Sequence, residues 1–186
     1  MLFARFRATV RIMATILHLL SNWKWTERAE PAADLALGQQ LAGAQARFAC
    51  GRPPHGEPDA VAARARQKGL DAVELDLPKH FSPISAMRAW PGLLRAFRGQ
   101  SFDILHAHMA NAHLLGGAAA RRVQPRARIV CSFYESEGPP PGFRQRLTMR
   151  RLTDGAVVTT PAARDTLVRV FGFPEARIML LEPGLD

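Results

Sequence analysis

The chain has 186 residues, 47% of them hydrophobic and 22% charged, a composition that supports one globular domain with a sizeable core and argues against a disordered chain. Its 25 basic and 16 acidic residues give a formal charge of +9 at pH 7, which favours partners that carry phosphate groups. The two cysteines, Cys50 and Cys131, show no CxxC spacing and argue against a disulfide scaffold, so we expect buried, inert thiols in a reducing compartment.

The N-terminus resembles a signal peptide in its basic and apolar regions but lacks other features of one. Three arginines in the first eleven residues precede an apolar run at 12–20, but His18 interrupts this run and no small-residue cleavage site follows. The run is also shorter than the ~20 residues that a membrane span needs. We therefore predict a basic N-terminal extension over residues 1–11 and a folded domain over residues 12–186.

Short apolar runs then alternate with stretches typical of helices. The predicted strands cover residues 15–20, 46–50, 72–77, 102–108, 128–133, 155–160 and 177–181. The predicted helices cover residues 29–42, 58–68, 83–98, 111–122, 143–152 and 161–171. Pro91 and Gly92 are expected to kink or split the third helix.

This alternation predicts right-handed βαβ units around a parallel sheet. The predicted fold class is therefore α/β: a single doubly wound, Rossmann-like domain with a mostly parallel sheet of about seven strands. Ligands bind such sheets outside the carboxyl ends of the strands, so the loops that follow each strand are the places to look for a site.

The loop after the first strand has no glycine between residues 21 and 28, which argues against a dinucleotide-binding turn or a phosphate-binding P-loop. It holds two tryptophans and three charged residues instead, and aromatic faces with charged neighbours are suited to sugars. A structural loop whose rings pack on the sheet edge is the alternative. The candidate substrate-binding residues here are Trp23, Lys24, Glu27 and Arg28.

Two histidines end the fourth predicted strand. Alternation along a strand places His106 and His108 on one face, where they could bind a metal, transfer protons or donate to a ligand oxygen. We find no convincing third ligand, because His113 falls within the next helix, and we therefore predict no metal. His108, nearer the ligand edge, is the candidate catalytic residue. His106 is a candidate substrate-binding residue, with a structural role as the alternative.

The loop after the fifth strand begins with Tyr134 and Glu135. A phenol and a carboxylate at a ligand edge could transfer protons or recognise hydroxyl groups, so both are candidate substrate-binding residues. Helix capping in a solvent-facing loop is the alternative.

Arginines are concentrated between residues 121 and 128 and again between residues 144 and 151. Such clusters attract nucleotides, anionic lipids or nucleic acid, and solvated helix faces are the alternative. Nucleic acid is not expected as a partner, because the aromatic residues of the first loop are not interleaved with the basic runs.

Four segments together resemble glycosyltransferase family 4, a group of retaining enzymes with the two-domain GT-B fold. Residues 102–108 (FDILHAH) are similar to the family's FDxxHxH segment. Residues 154–161, 171–178 and 182–186 resemble, in order, its strand followed by a small polar residue, its Gly-x-Pro stretch and its PNGVD hinge. The resemblance implies that the chain is the N-terminal, acceptor-side half of such an enzyme, with His108 beside the reaction centre.

The resemblance also implies that a C-terminal half with a Glu-x7-Glu signature binds the nucleotide-sugar donor. That half is expected to be missing here, so the domain alone is expected to bind no cofactor. Two features depart from the family. The first loop carries Trp23 and Lys24 where many members have glycines, and Tyr134 stands where several members have a histidine.

The expected function is the acceptor-binding half of a glycosyltransferase that moves a sugar, with retention, from a nucleotide-sugar to a glycan, lipid-linked or polyol acceptor. Catalysis is expected only with a donor-binding domain supplied in trans. A non-catalytic Rossmann-like binding module and an inactive truncated remnant are the alternatives. The expected partners are the acceptor, a separate donor-domain chain and an anionic membrane surface, and the expected location is cytoplasmic, peripheral on the inner face of the membrane.

Overall fold

A computed structural model describes residues 14–53 and 60–181, and these show the predicted alternation of strands and helices. The strands are β1 (Thr15–Leu20), β2 (Gln45–Gly51), β3 (Ala72–Leu75), β4 (Ile104–Ala107), β5 (Arg128–Phe133), β6 (Gly155–Val158) and β7 (Ile178–Leu180). The helices are α1 (Ala29–Leu41), α2 (Val61–Gln67), α3 (Pro83–Arg98), α4 (Gly117–Val123), α5 (Phe143–Leu152) and α6 (Pro161–Arg169). The predicted basic extension and the hinge-like segment at 182–186 lie outside the described residues.

The strands form one sheet in the order β3-β2-β1-β4-β5-β6-β7, and every neighbouring pair is parallel. This confirms the α/β, doubly wound class. Strand β1 lies inside the sheet, with Leu17 opposite Arg47 of β2 on one side and opposite Leu105 of β4 on the other. The direction of winding reverses between β1 and β4, which is where doubly wound sheets open a crevice for ligands.

Two hydrophobic clusters cover the two faces of the sheet. Leu20 packs with buried residues of α1 and α2. Leu17 and Leu19, which alternation turns to the opposite face, pack with residues of α3, α4, α5 and α6. Cys50 and Cys131 are buried free thiols, as predicted, and burial raises the pKa of Cys50 to about 12.

Helix α3 begins with a capping box in which Ser82 and Ser85 bond to each other's backbone N–H groups. It then continues unbroken over 16 residues, so the helix is not split at Pro91 and Gly92, and the kink expected as the alternative stays a prediction. Pro91 and Met87 are both exposed, and the Met87 carbonyl that loses its helical partner to proline can bond to water.

The helix predicted over residues 111–122 is divided in two. It opens with a π-helical turn, Ala112–Gly116, and continues as α4. The turn follows directly on the loop after β4, and π-helical turns occur often beside functional sites. Strand β4 itself ends at Ala107, shorter than predicted, so His108 lies one residue beyond it.

Candidate functional site

Three imidazole rings lie together at the crevice between β1 and β4. The strand register places His18 of β1 directly opposite His106 of β4, and the N–H of His108 donates to the Leu19 carbonyl at 3.0 Å. The ring centroids of His106 and His108 are 4.5 Å apart, and each lies about 5 Å from the ring of His18. All three side chains are buried, with at most 4% of the residue exposed. The two histidines of the HxH segment therefore share one face, and β1 adds a third.

A line of hydrogen bonds, here called the histidine chain, runs from α1 to the loop after β5. It links Gln39 Oε1 to His18 Nε2 at 2.8 Å, His18 Nδ1 to His108 Nε2 at 2.9 Å, and His108 Nδ1 to the Tyr134 hydroxyl at 2.8 Å. Both ring nitrogens of His108 are thus bonded to protein groups. Tyr134, which follows β5, ends the chain.

The third histidine has a separate partner on the neighbouring strand. His106 Nε2 of β4 lies 2.8 Å from Ser132 Oγ of β5.

The histidine chain and His106 are uncharged at neutral pH. Burial lowers the pKa of His18 to about 4 and that of His106 to about 3. Burial, with smaller contributions from His106 and His18, holds the pKa of His108 well below its ordinary value. Burial also raises the pKa of Tyr134 well above its ordinary value, so the phenol stays protonated.

The statement that the HxH pair lacks a third histidine is corrected by His18, whose ring lies with the other two so that one ligand atom of each is within 4.8 Å of the rest. The prediction of no metal rested on a missing third ligand, and it stays a prediction. The interplanar angles of the three ring pairs are 11° to 31°. His113 lies elsewhere and bonds to Thr153 at 2.8 Å.

A cleft of about 440 Å³ opens at the carboxyl ends of β4 and β5, beside His108. Its walls come from the loop after β4, from the end of β5 with the loop that follows, and from the first turn of α5. The lining residues are His108, Met109, Ala110, Cys131, Ser132, Phe133, Glu135, Pro139, Pro140, Pro141, Gly142, Phe143, Arg144 and Gln145. The cleft thus includes His108 and Glu135 from the predicted site residues.

The first loop contributes to this region through one side chain. Arg28 forms an ion pair of 3.1 Å with Glu135, which lines the cleft. Trp23 and Lys24 do not line the cleft. Their backbone is bonded to the start of α2 instead: the Trp23 carbonyl accepts from the N–H of Val61 at 2.7 Å, and Lys24 forms an antiparallel bridge with Ala60.

The last predicted residue of this loop, Glu27, and the second tryptophan, Trp25, lie apart from the cleft as well. Glu27 is exposed and is not part of the cleft wall. Trp25 holds the loop on the α1–α2 face, with the cations of Arg64 and Lys68 at 5.4 and 5.7 Å from its ring. The alternative of a structural loop therefore fits the tryptophans, and the binding role of Trp23, Lys24 and Glu27 stays a prediction.

The two arginine clusters differ in environment. Arg121 is tied into the fold by bonds to Asp154 at 2.6 Å and to the carbonyls of Ala127 and Leu152 at 3.1 and 3.2 Å. The arginines of α5, in contrast, are exposed. Of these two clusters, the α5 cluster places its exposed arginines on a single helix.

Sequence reasoning missed His18, Gln39 and Ser132. A detectable signal existed for His18, since a polar residue inside a buried apolar strand requires a partner. Gln39 gives no such signal, because a glutamine on a surface helix is ordinary.

A family model matches most of the chain. Residues 32–186 match the model of Glycosyltransferase Family 4, and the chain belongs to that family. The chain is a glycosyltransferase module with the fold of the N-terminal half of GT-B enzymes, as the resemblance implied. No curated protein sequence matches the chain.

Solved structures share the fold at low sequence identity. Anabaena Alr3699/HepE, crystallised with UDP and glucose, is 14% identical with a TM-score of 0.70 over 93% of this chain and 45% of its own. The lipopolysaccharide outer core galactosyltransferase WaaB is 9% identical with a TM-score of 0.67 over 92% of this chain and 46% of its own. Acinetobacter baumannii MurG is 14% identical with a TM-score of 0.57 over 80% and 42%. The chain therefore spans less than half the length of each.

Proposed function

We propose that this domain binds the acceptor in a retaining transfer of a sugar from a nucleotide-sugar to a glycan, lipid-linked or polyol acceptor. The observation that carries this proposal is the cleft beside His108, at the carboxyl ends of β4 and β5, in a chain that belongs to Glycosyltransferase Family 4. Polar groups at the edge of an otherwise apolar cleft suit a polyhydroxylated ligand.

The walls of the cleft hold groups that can meet sugar hydroxyls. Glu135 offers a carboxylate that Arg28 holds in place. Gln145 Nε2 is buried without a hydrogen-bond partner, and a ligand oxygen would relieve the cost of leaving that donor unsatisfied. His108 lines the cleft and is the proposed catalytic residue.

Transfer also needs a donor, and in this proposal the nucleotide-sugar is held by a second, donor-binding half on the same polypeptide or on a separate chain. The structure crystallised with UDP and glucose motivates the choice of donor for the test. The domain itself binds no nucleotide-sugar. Catalysis then depends on bringing the two halves together, because acceptor and donor must be oriented in one cleft.

Calorimetric and saturation-transfer titrations test whether the domain binds the acceptor and leaves the donor to the second half. We expect saturable binding of a neutral glycoside such as methyl glucoside, lost in Glu135→Ala and retained in Glu175→Ala, a matched exposed carboxylate far along the chain. We expect no binding of UDP or UDP-glucose to the domain alone. Tight binding of UDP with no response to the glycoside would contradict the proposal.

The outer face of α5 is proposed to dock on an anionic, cytoplasmic membrane surface. Phe143 and Leu147 are exposed and one helical turn apart, and Arg146 and Arg150 flank them. An apolar stripe with arginines beside it suits the headgroup region, at about 1 kcal/mol per basic residue near the surface. No helix in the described ranges is both long and apolar enough to cross a bilayer.

Vesicle flotation tests the membrane proposal. We expect salt-sensitive binding to vesicles that contain phosphatidylglycerol, and several-fold weaker binding in Phe143→Ser and in Arg150→Gln. Arg169→Gln, which removes an exposed arginine from α6, is the control. Binding unchanged by the α5 variants would show that this face is not the docking surface.

A further inference from the structure

A second, smaller cleft, here called the side pocket, adjoins the cleft beside His108. Its volume is about 190 Å³, and it shares Arg144 and Gln145 of α5 with the larger cleft. The loop between β3 and α3 supplies Lys79 to its wall, and the loop after β4 supplies Asn111. A ligand in the larger cleft can therefore extend past the first turn of α5 into the side pocket.

The side pocket is lined by basic side chains. Lys79, His80 and Arg144 all face it, and among its described lining residues there is no carboxylate. The Arg144 guanidinium carbon lies 4.4 Å from the centre of the Phe81 ring, a contact that uses the face of the guanidinium and leaves its in-plane N–H groups for other oxygens. Arg144 and Gln145 also lie in the first turn of α5, where a helix favours negative charge. An anion is the ligand that this wall attracts.

Two buried amide atoms beside the basic residues have no hydrogen-bond partner within the described part of the chain. Asn111, only 5% exposed, donates its amide N–H to the Pro78 carbonyl, which leaves its Oδ1 without a donor. Gln145 Nε2 is left without an acceptor. Unsatisfied buried atoms cost stability, and a ligand that presents both a hydroxyl and an anionic oxygen would satisfy both of these.

We propose that the side pocket binds one phosphate group of a hydroxylated ligand whose sugar or polyol part lies in the larger cleft. Lys79, Arg144 and Gln145 donate to the phosphate oxygens, and Asn111 accepts from a neighbouring hydroxyl. The larger cleft is lined by the Glu135 carboxylate, which accepts from hydroxyls and repels a second phosphate. The pair of clefts thus selects a monophosphate over a nucleoside diphosphate such as UDP. That this ligand is the acceptor rests on the proposed function, whereas the anion site itself does not.

Amide NMR of the nitrogen-15-labelled domain tests the proposal with three probes. We expect inorganic phosphate to shift the signals of Lys79 and Asn111, and methyl glucoside to shift that of Glu135. Glucose 6-phosphate, which carries both groups, should shift all three and bind about tenfold more tightly than either part. No response of Lys79 and Asn111 to phosphate or to glucose 6-phosphate would overturn the proposal, and so would UDP that binds as tightly as glucose 6-phosphate.

The substitution Lys79→Gln separates the two clefts, because Lys79 is exposed and lines the side pocket but not the larger cleft. We expect glucose 6-phosphate to bind about tenfold more weakly and methyl glucoside to bind as in the parent protein. Arg169→Gln, which removes an exposed arginine from α6, is the control and should leave both affinities unchanged. Equal affinity for glucose 6-phosphate in Lys79→Gln and Arg169→Gln would overturn the assignment.

The same titrations distinguish failure of this proposal from failure of the proposed function. Binding of phosphate without any response to methyl glucoside would contradict the acceptor cleft and support the side pocket, and the reverse result would overturn the side pocket alone. Glycerophosphoglycerol, the headgroup of phosphatidylglycerol without its acyl chains, separates the sources of the phosphate. Tighter binding of glucose 6-phosphate would indicate a soluble sugar phosphate, and tighter binding of glycerophosphoglycerol a lipid headgroup.

Discussion

Arg28, after β1, and Glu135, after β5, form an ion pair of 3.1 Å that joins two loops at the ligand edge of the sheet. Their side chains are 39% and 35% exposed, so solvent screens the pair and its contribution to folding is expected to stay below about 1 kcal/mol. A double-mutant cycle with Arg28→Met and Glu135→Gln, measured by urea unfolding, checks this. A coupling free energy well above that value would show that the pair is structural.

The four buried histidines predict early loss of stability on acidification. Burial lowers the pKa of His18 and of His113 to about 4 and that of His106 to about 3, and holds that of His108 well below its ordinary value. The unfolded chain, with histidine pKa values of about 6.5, therefore binds more protons below that pH. The stabilisation is complete above about pH 6.5 and is lost as the pH falls towards the folded values, at up to about 1.4 kcal/mol per pH unit for each histidine.

Urea unfolding at a series of pH values measures this slope. We expect His113→Gln to have a shallower dependence between pH 6.5 and 5, and the exposed His80→Gln to match the parent protein. Stability that stays constant from pH 7 to pH 5 would show that the buried imidazoles are not held neutral.

Asp154 is predicted to be a stability residue, since its Oδ2 accepts from Arg121 at 2.6 Å and from the N–H of Ile129 at 2.8 Å. Asp154→Ala leaves both donors without this partner in a partly buried place, and we expect a loss of about 2–3 kcal/mol. Asp165→Ala removes a half-exposed carboxylate that forms a surface ion pair with Arg164, and it should change stability by less than about 0.5 kcal/mol. Thermal unfolding of the two variants compares them; equal losses would contradict the assignment.

The π-helical turn requires glycine at position 116. A Cβ placed there would lie 2.2 Å from Cδ2 of Leu19, a side chain with no exposed surface, so Gly116→Ala should destabilise the fold by about 1–3 kcal/mol. Gly38→Ala in α1 meets nothing within 4 Å and should instead stabilise it by up to about 1 kcal/mol. Urea unfolding of the two variants measures both changes in stability. A Gly116→Ala variant more stable than the parent protein would mean that Leu19 has room to move.

The fold could be predicted because each strand and helix carries its own local pattern. Strand β5 and helix α5 begin and end where periodicity places them. The split expected at Pro91 failed because a proline on the solvent side of a helix leaves a carbonyl that water can satisfy.

The candidate site was only half predictable, because its geometry depends on strand order. His106 and His108 lie in one strand and could be paired by alternation. His18 joins them because β1 pairs with β4 rather than with the strand that comes before β4 in the sequence, and no local pattern encodes that choice. Trp23 and Lys24 follow a strand at the correct edge, but a backbone bridge to Ala60 turns them towards α2.

The central position of β1 has a consequence for synthesis on the ribosome. The buried residues of the cluster under α1 and α2 all lie between Leu20 and Ala72, so that face can assemble as soon as β3 has emerged. The other edge of β1 must wait for β4, which ends at Ala107. At about 5–20 residues per second, the nascent chain carries an unpaired apolar strand edge for several seconds, and this is the interval in which a chaperone or a neighbouring nascent chain could bind it.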